Sequence, residues 1–338
     1  MKVDGNVCHD LLRDSMVGKQ KLGYNNKTTD FATWKAQVKD KFIDLFGIDA
    51  IAENDCPLNF EIETEVQKDG YKQIRYTIET EKGSICPVYI LIPNNIKGKL
   101  PVAITLQGHS SGLHKKPDED PEYALGRGKF AVQAVQNGYV AVAFEQRGMG
   151  ERRPENEKRS VAKRCTYAAL SSIDLGRTIL GERIWDTSKV IDSLANFPEC
   201  DLDNIFITGN SGGGTMSFYA TCYDERIKFS APSCAFCSYE TSILDINHCA
   251  CNHVPGLFKW FEMQDLSCLI APRKVTFING VQDFIFPIHG VRKAFETVKQ
   301  IYAEAGAPNN CTLVETPMHH YWCEDIVWGA INKVMKGE

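Results

Sequence analysis

Residues 203–222 read DNIFITGNSGGGTMSFYATC, and the reading of this stretch decides the fold. A short apolar run, NIFITG, meets a glycine cluster and then an apolar helix-forming segment, GTMSFYATCY. One serine stands at the junction. Gly209-Asn210-Ser211-Gly212-Gly213 matches G-x-S-x-G, and a strand before and a helix after are the setting that a nucleophile elbow requires. The turn is so sharp that side chains two positions to either side of the serine would collide with the strand and the helix. The helix start also presents free N–H groups and a positive dipole end to a developing oxyanion. The bland reading is a glycine-rich loop whose serine merely caps the helix.

Working outward, the second half of the chain alternates short apolar runs with helical stretches. LPVAITLQG, YVAVAFE, NIFITG, KVTFING and CTLVETP read as strands, with helices expected at 128–137, 175–196, 212–223 and 289–305. Strands that read as buried on both faces and alternate with helices predict an α/β fold with a mainly parallel sheet. Its functional groups would lie at the C-terminal strand ends. Upstream, FEIETEVQKDGYKQIRYTIETEKGSICPVYILIP alternates polar and apolar residues around KDG and EKG turns, the pattern of antiparallel strands. Further upstream, Phe31, Trp34, Val38, Phe42 and Leu45 fall near helical spacing. Thr29 or Asp30 would cap that helix and Gly47 would end it.

An activated serine needs a base, and the base needs an orienting acid. In the elbow architecture the acid and then the histidine follow the serine in chain order. Asp283 lies just beyond KVTFING, and His319 and His320 lie just beyond CTLVETP. Either histidine qualifies on local grounds, and Asp283 could instead cap the following helix. For the oxyanion, Gly212 supplies one backbone N–H. His109 supplies a second from LQGH, where Gly108 permits close approach. Arg147, in FEQRGMGERR, reads as a brace for the site's loops, with substrate contact the lesser alternative. Asn210 and His319 are further candidates for site support.

With these pieces in place, the chain resembles the α/β-hydrolase superfamily, and within it the acetyl xylan esterase and dienelactone-hydrolase-related group of bacterial esterases. The resemblance spans roughly residues 30–335 and rests on LQGH (106–109), EQRGMGE (145–151), GRTILGERIWD (176–186), GNSGGG (209–214), NGVQDFIFP (279–287) and HHYWCEDIVW (319–328). It implies an α/β-hydrolase fold with Ser211 as nucleophile and Asp283 as orienting acid. His320 would be the base, with His319 in the place of the family's usual glycine. It also implies hydrolysis of a short-acyl ester, often the deacetylation of a carbohydrate. On this reading residues 1–58 form an N-terminal helical arm and 59–338 the hydrolase domain, with cap or lid loops near 112–128, 151–175 and 238–268. Lactone opening, peptide cleavage and acyl transfer stay open as alternatives, and a non-catalytic ligand-binding protein is the competing class.

CAFC (234–237) and HCACNH (248–253) carry donor types suited to zinc, but the second half is tighter than the usual zinc spacings. Buried thiols near the pocket are the default reading, so no metal and no cofactor are assigned. A zinc-dependent module built on 234–253 is the competing reading. The 338 residues are 43% hydrophobic, enough for a large core, and the net charge of −5 gives no footprint for nucleic acid. No apolar run approaches the ~18 residues of a membrane span, and the start has no apolar core of a signal peptide. Thirteen cysteines in so large a chain read as reduced thiols of a cytoplasmic protein. The expected partner is a small-molecule ester, and a homo-oligomer stays open.

Overall fold

The computed structural model describes residues 5–109, 129–154 and 165–337. The expected lid loop at 112–128 and the 155–164 part of the second lie outside the described residues. Three antiparallel strands lead in: β1 (Glu61–Gln67), β2 (Tyr71–Glu81) and β3 (Ser84–Pro93). Gly70 and Gly83, with φ of 82° and 84°, make the KDG and EKG turns between them. Next come β4 (Leu100–Leu106), β5 (Val140–Phe144), β6 (Cys200–Asn210), β7 (Ile227–Ser233), β8 (Lys274–Gly280) and β9 (Cys311–Thr316). The nine strands form one sheet in the order β1-β2-β3-β5-β4-β6-β7-β8-β9. The β3–β5 pair is antiparallel, and every pair from β5 to β9 across that order is parallel.

The helices are α1 (Val7–Met16), α2 (Phe31–Phe46), α3 (Ile48–Ala52), α4 (Phe130–Gln136), α5 (Thr166–Asp174), α6 (Ile179–Ser193), α7 (Gly212–Tyr223), α8 (Ile288–Glu304) and α9 (Glu324–Lys336). Side-chain size on the central strands sorts the two faces of the sheet. Val102, Ile104 and Leu106 on β4, with Val140, Val142 and Phe144 on β5, join the core that includes α2, α6, α7 and α8. Their neighbours Ala103, Ala141 and Ala143 face the smaller core with Ala131 and Ala134 of α4 and Trp328 of α9. α2 begins at Asp30, whose carboxylate accepts from the Thr33 N–H at 3.0 Å, and ends at Gly47 with φ of 69°. Its buried stripe is Trp34, Val38, Phe42 and Phe46. The expected Leu45 is only half-buried.

Several elements depart from the expected pattern, for physical reasons. β7, IKFSAPS, has no continuous apolar run because small polar residues sit where α7 packs closely; the Ser230 hydroxyl donates to the Ser217 carbonyl at 3.0 Å. α5 lies inside the expected loop 151–175, and its buried face is Ala169 and Ser172, too small to make an apolar stripe. The 238–268 segment, expected as a cap or lid loop, is largely packed: Phe258, Phe261 and Leu266 are buried in the main core. Glu262 and Asp265 close a capping box around the turn at Met263–Leu269.

The GRTILGERIWD stretch has a local physical meaning. Thr178 caps α6 by accepting from the Gly181 N–H and itself donates to the Phe46 carbonyl at 2.9 Å. A Cβ at Gly181 would lie 2.1 Å from that same carbonyl oxygen, so the C-terminus of α2 docks on α6 only because residue 181 has no side chain. Gly181→Ala should therefore destabilise the fold by ~1–3 kcal/mol through overpacking. Denaturant midpoints of the two proteins check this, and an unchanged midpoint would refute the docking argument.

Candidate active site

Ser211 ends β6 and opens α7 with φ 57° and ψ −122°, a backbone region that L-residues rarely occupy. Such a conformation costs ~1–3 kcal/mol and persists only where surrounding structure imposes it. Here the imposition is steric. A Cβ at Gly213 would lie 2.0 Å from the Leu106 carbonyl oxygen, and one at Gly209 would lie 2.4 Å from it. A Cβ at Gly214 would meet the Ser233 carbonyl oxygen at 2.5 Å. The Ser211 N–H donates to that Ser233 carbonyl at 2.9 Å, and the Ser211 carbonyl accepts from Thr215 at 2.8 Å. The serine side chain makes no capping hydrogen bond to α7. Its hydroxyl is not spent on the helix end.

Asp283 lies three residues beyond β8, buried. One carboxylate oxygen, Oδ1, accepts from the Ile285 and Phe286 N–H groups at 2.8 and 3.1 Å, which fixes the loop instead of capping α8. The other, Oδ2, lies 2.8 Å from His320 Nδ1. Among the described residues His320 Nε2 is buried without a hydrogen-bond partner. His319 points elsewhere: it is exposed, with Nδ1 3.2 Å from the Gln282 carbonyl. The two adjacent histidines, equal on local grounds, are thus separated by tertiary position. Gly280 makes this possible, since a Cβ there would lie 2.2 Å from the His319 carbonyl oxygen and 2.4 Å from that of Met318.

Ser211, His320 and His109 line two adjoining clefts. One, of about 370 Å³, is walled by Phe130, Gln133, Tyr321, Trp322 and Glu324, and Asn210 reaches its floor. The other, of about 450 Å³, is walled mainly by Ile246, His248, Phe284, Ile285 and Phe286. The wall residues of both clefts were absent from the sequence-based candidates. Tyr321, Trp322 and Glu324 lie within HHYWCEDIVW and Phe284, Ile285 and Phe286 within NGVQDFIFP, whereas Phe130 and Gln133 on α4 carry no motif. Asn210 Oδ1 accepts from the Ser233 hydroxyl at 3.0 Å, which holds the strand end next to the serine. Gly108 packs against the elbow, where a Cβ would meet the Asn210 carbonyl oxygen at 2.9 Å and Ser211 Cβ at 3.2 Å. The His109 ring lies against Gly212, whose N–H is among the first four of α7 and so has no intrahelical acceptor. Burial pushes the neighbouring His248 down to about 4, so it is neutral at pH 7.

Behind the clefts stands a charged brace. Arg147 pairs with Glu81 and, at 2.8 Å, with Asp186, which also takes Arg152 at 2.6 Å. Arg177 joins through Glu81 at 2.5 Å. Arg147 lines neither cleft among the described residues, so its geometry is that of a brace. Gln107 completes the tie between strand ends, donating to Glu145 at 3.0 Å and accepting from Gln146 at 2.8 Å on its carbonyl. The sequence cluster at 234–253 does not assemble as one unit. Cys234 faces the Tyr321 carbonyl and Cys237 faces Thr241 and the Pro287 carbonyl. His248 contacts Ser242 and Asn252.

A nucleophile-elbow turn on a nine-stranded, mainly parallel sheet defines the α/β-hydrolase class. The Abhydrolase family model matches residues 4–227, and the chain belongs to that family. Protein YtaP of Bacillus subtilis (strain 168), named as a hydrolase, is 26% identical over 240 residues, covering 70% of this chain and 78% of its own. Among solved structures, a Bacteroides fragilis NCTC 9343 protein described as an acetyl xylan esterase superposes with a TM-score of 0.79 at 14% identity, over 99% of this chain and 96% of that one. Methylesterase BT1017 superposes with a TM-score of 0.73 at 20% identity, covering 97% of this chain and 69% of its own. Acetyl xylan esterase 1 from Thermoanaerobacterium sp. JW/SL YS485 gives 0.64 at 17% identity, over 88% and 93% of the two chains. These likenesses carry the fold. No helix among the described residues is long and apolar enough to cross a membrane.

Burial alone would raise the Asp186 carboxyl, but Arg147 and Arg152 outweigh it and hold it below the usual carboxylate range. A depressed folded-state value stabilises the fold above the unfolded value near ~3.9 and is lost as pH falls through the folded one. Asp186→Asn should cost ~3–5 kcal/mol at pH 7, because it strands two guanidinium groups against a neutral amide. The gap in thermal midpoint between the two proteins should persist at pH 5 and narrow only below about pH 3.9. A gap that closes between pH 7 and 5 would contradict the assignment.

Proposed function

We propose that the protein is a serine hydrolase that cleaves a small carboxylic ester through an acyl-enzyme. The observation that carries this reading is the strained Ser211 opening onto the same clefts as His320, whose far nitrogen is bonded to Asp283. In the proposed reaction, Ser211 Oγ attacks the acyl carbonyl while His320 Nε2 takes its proton. Asp283 Oδ2 keeps the other proton on Nδ1 and stabilises the imidazolium. The N–H groups of Gly212 and His109 receive the oxyanion. Collapse of the adduct expels the alcohol, which takes the proton from His320. Water, deprotonated by His320, then attacks the acyl-enzyme, and the carboxylic acid leaves as Ser211 recovers its proton.

The substrate class we favour is a short-acyl ester of a carbohydrate. The cleft walled by Tyr321, Trp322, Gln133 and Glu324 combines aromatic faces with hydrogen-bonding groups, a lining that suits a polyhydroxylated alcohol portion. The opposite cleft, with Ile246, Phe284, Ile285 and Phe286, suits an apolar acyl group. The acetyl xylan esterase activity named for two structural neighbours points the same way. Arg147 and Asn210 then act as support outside the reacting atoms.

A fluorophosphonate probe should label the wild type and leave Ser211→Ala unlabelled. Turnover of p-nitrophenyl acetate should fall by ~10³-fold or more in Ser211→Ala, since such sets act as a unit. Labelling that survives in Ser211→Ala would sink the assignment, and an unreactive wild type would favour a ligand-binding protein. The two histidines give a separate test. His320→Ala should lose about as much activity as Ser211→Ala, whereas His319→Ala should stay within ~10-fold of wild type. The reverse order would move the base to residue 319.

A further inference from the structure

One histidine and three cysteines, none of them Ser211, Asp283 or His320, converge beside the clefts from separate parts of the chain. His109 follows β4, Cys165 immediately precedes α5, and Cys249 and Cys251 flank the start of the turn Ala250–Asn252. Their donor atoms, one from each residue, all lie within 4.8 Å of one another. His109 Nε2 is 3.0 Å from Cys251 Sγ and 3.7 Å from Cys165 Sγ, and Cys165 Sγ is 3.4 Å from Cys249 Sγ. With metal–sulfur bonds of ~2.3 Å and metal–nitrogen bonds of ~2.0 Å, a tetrahedral site has ligand–ligand edges of ~3.5–3.8 Å. We propose that His109, Cys165, Cys249 and Cys251 form a zinc site, with His109 bound through Nε2.

Three observations bear on the choice of ion and on its rivals. Three sulfurs and one imidazole are a soft donor set that selects zinc over magnesium or calcium. Cys165 and Cys251 are almost wholly buried, and so is Arg183 beside them, at 1% exposure each. The Arg183 guanidinium donates to the Arg147 carbonyl at 2.9 and 2.6 Å, and among the described residues it makes no ion pair with a carboxylate. A buried permanent cation needs a compensating anion. Three thiolates and a neutral imidazole around a divalent ion carry one net negative charge, which balances it. A Cys165–Cys249 disulfide, the obvious rival at this distance, would remove that charge and leave Arg183 uncompensated.

All four coordination positions are filled by side chains, so no position remains for a reacting water, and the ion is structural. It joins the loop after β4 to the start of α5 and to the 249–252 turn. A Cβ at Gly212 would lie 3.0 Å from His109 Nδ1, so fixing the ring through Nε2 also fixes residue 109 against the elbow. Any effect on ester turnover rests on the hydrolase reading above; metal binding itself does not. The proposed site differs from the zinc module weighed from sequence, because its ligands come from 109 and 165 as well as from the 234–253 cluster.

The full chain, purified after expression with added zinc, should carry one zinc per molecule by elemental analysis. Cobalt substitution should give the absorption bands of a tetrahedral, thiolate-bound ion. Cys249→Ser and Cys251→Ser should lose stoichiometric metal, while Cys237→Ser, outside the cluster, should keep it. Because a ligand variant can fail to fold, wild-type protein stripped by chelator under reducing conditions is also titrated with zinc alone. Its thermal midpoint should rise and level off at one equivalent. A wild type that neither retains zinc nor responds to it overturns the proposal. So does zinc held equally by both serine variants, or a Cys165–Cys249 disulfide found by peptide mapping of the protein as purified. A zinc-loaded protein with no esterase activity would leave the metal site standing and count against the hydrolase reading alone.

Discussion

The approach of α7 to the carbonyl of Leu106 is the constraint on which the rest of the site depends. That oxygen would be 2.0 Å from a Cβ at residue 213 and 2.4 Å from one at residue 209. Two glycines therefore permit a packing that no other residue pair would allow without moving β4 or β6. The close approach compresses the β6–α7 connection until Ser211 has no relaxed conformation left, which is why its φ is positive. The strain is a consequence of packing and is held by the mass of the sheet, so the serine is positioned by its backbone, without a capping hydrogen bond from its hydroxyl.

The same sheet supplies the remaining groups. Because β4 to β9 run parallel, their C-terminal ends lie along one rim, and five of the six contribute something different. β4 delivers Gly108 and His109, β5 the Arg147 turn, β6 the serine, β8 Asp283 and β9 His320. Two further ties keep these loops in register. Gln107 and Gln146 link the ends of β4 and β5, and Asp186 on α6 gathers Arg147 and Arg152 from the turn after β5. The brace is costly to assemble and to break: Arg147, Arg152 and Arg177 meet the buried carboxylates of Glu81 and Asp186. Its contribution is to fix the Arg147 turn, and among the described residues Arg147 lines neither cleft.

Much of this was legible in the sequence because it is local. The elbow announces itself through a strand, five residues and a helix, all contiguous. Asp283 and the histidine pair are legible through position just past a strand end. Local properties did not separate His319 from His320, because adjacent residues share them; the choice of His320 came from the resemblance. In the structure the contact with Asp283 falls to His320, and Gly280 lets the 318–319 backbone press against the end of β8. β7 and α5 escaped notice for a related reason: their buried faces are built from serine and alanine, and a periodicity of small residues leaves no hydrophobic signal. The cleft walls escaped because Gln133, Trp322 and Phe284 acquire their meaning only from where their elements dock.

The cysteines show the limit of spacing arguments from the other side. Cys-x-x-Cys at 234–237 looks like a chelating pair, yet its two thiols face different neighbours, the Tyr321 carbonyl and Thr241. Cys165, in a stretch that reads as a cap or lid loop, meets Cys249 across 84 residues of chain. Four donors drawn from three distant segments cannot advertise themselves as a motif, and their convergence is visible only in three dimensions. His109 occupies the point where the two features meet. Its main chain belongs to the loop pressed against the elbow, and its ring belongs to the thiol cluster, so one residue couples the order of the buried sulfurs to the geometry beside Ser211. A displacement of that ring would be felt at Gly212 at once, since only a missing Cβ separates them.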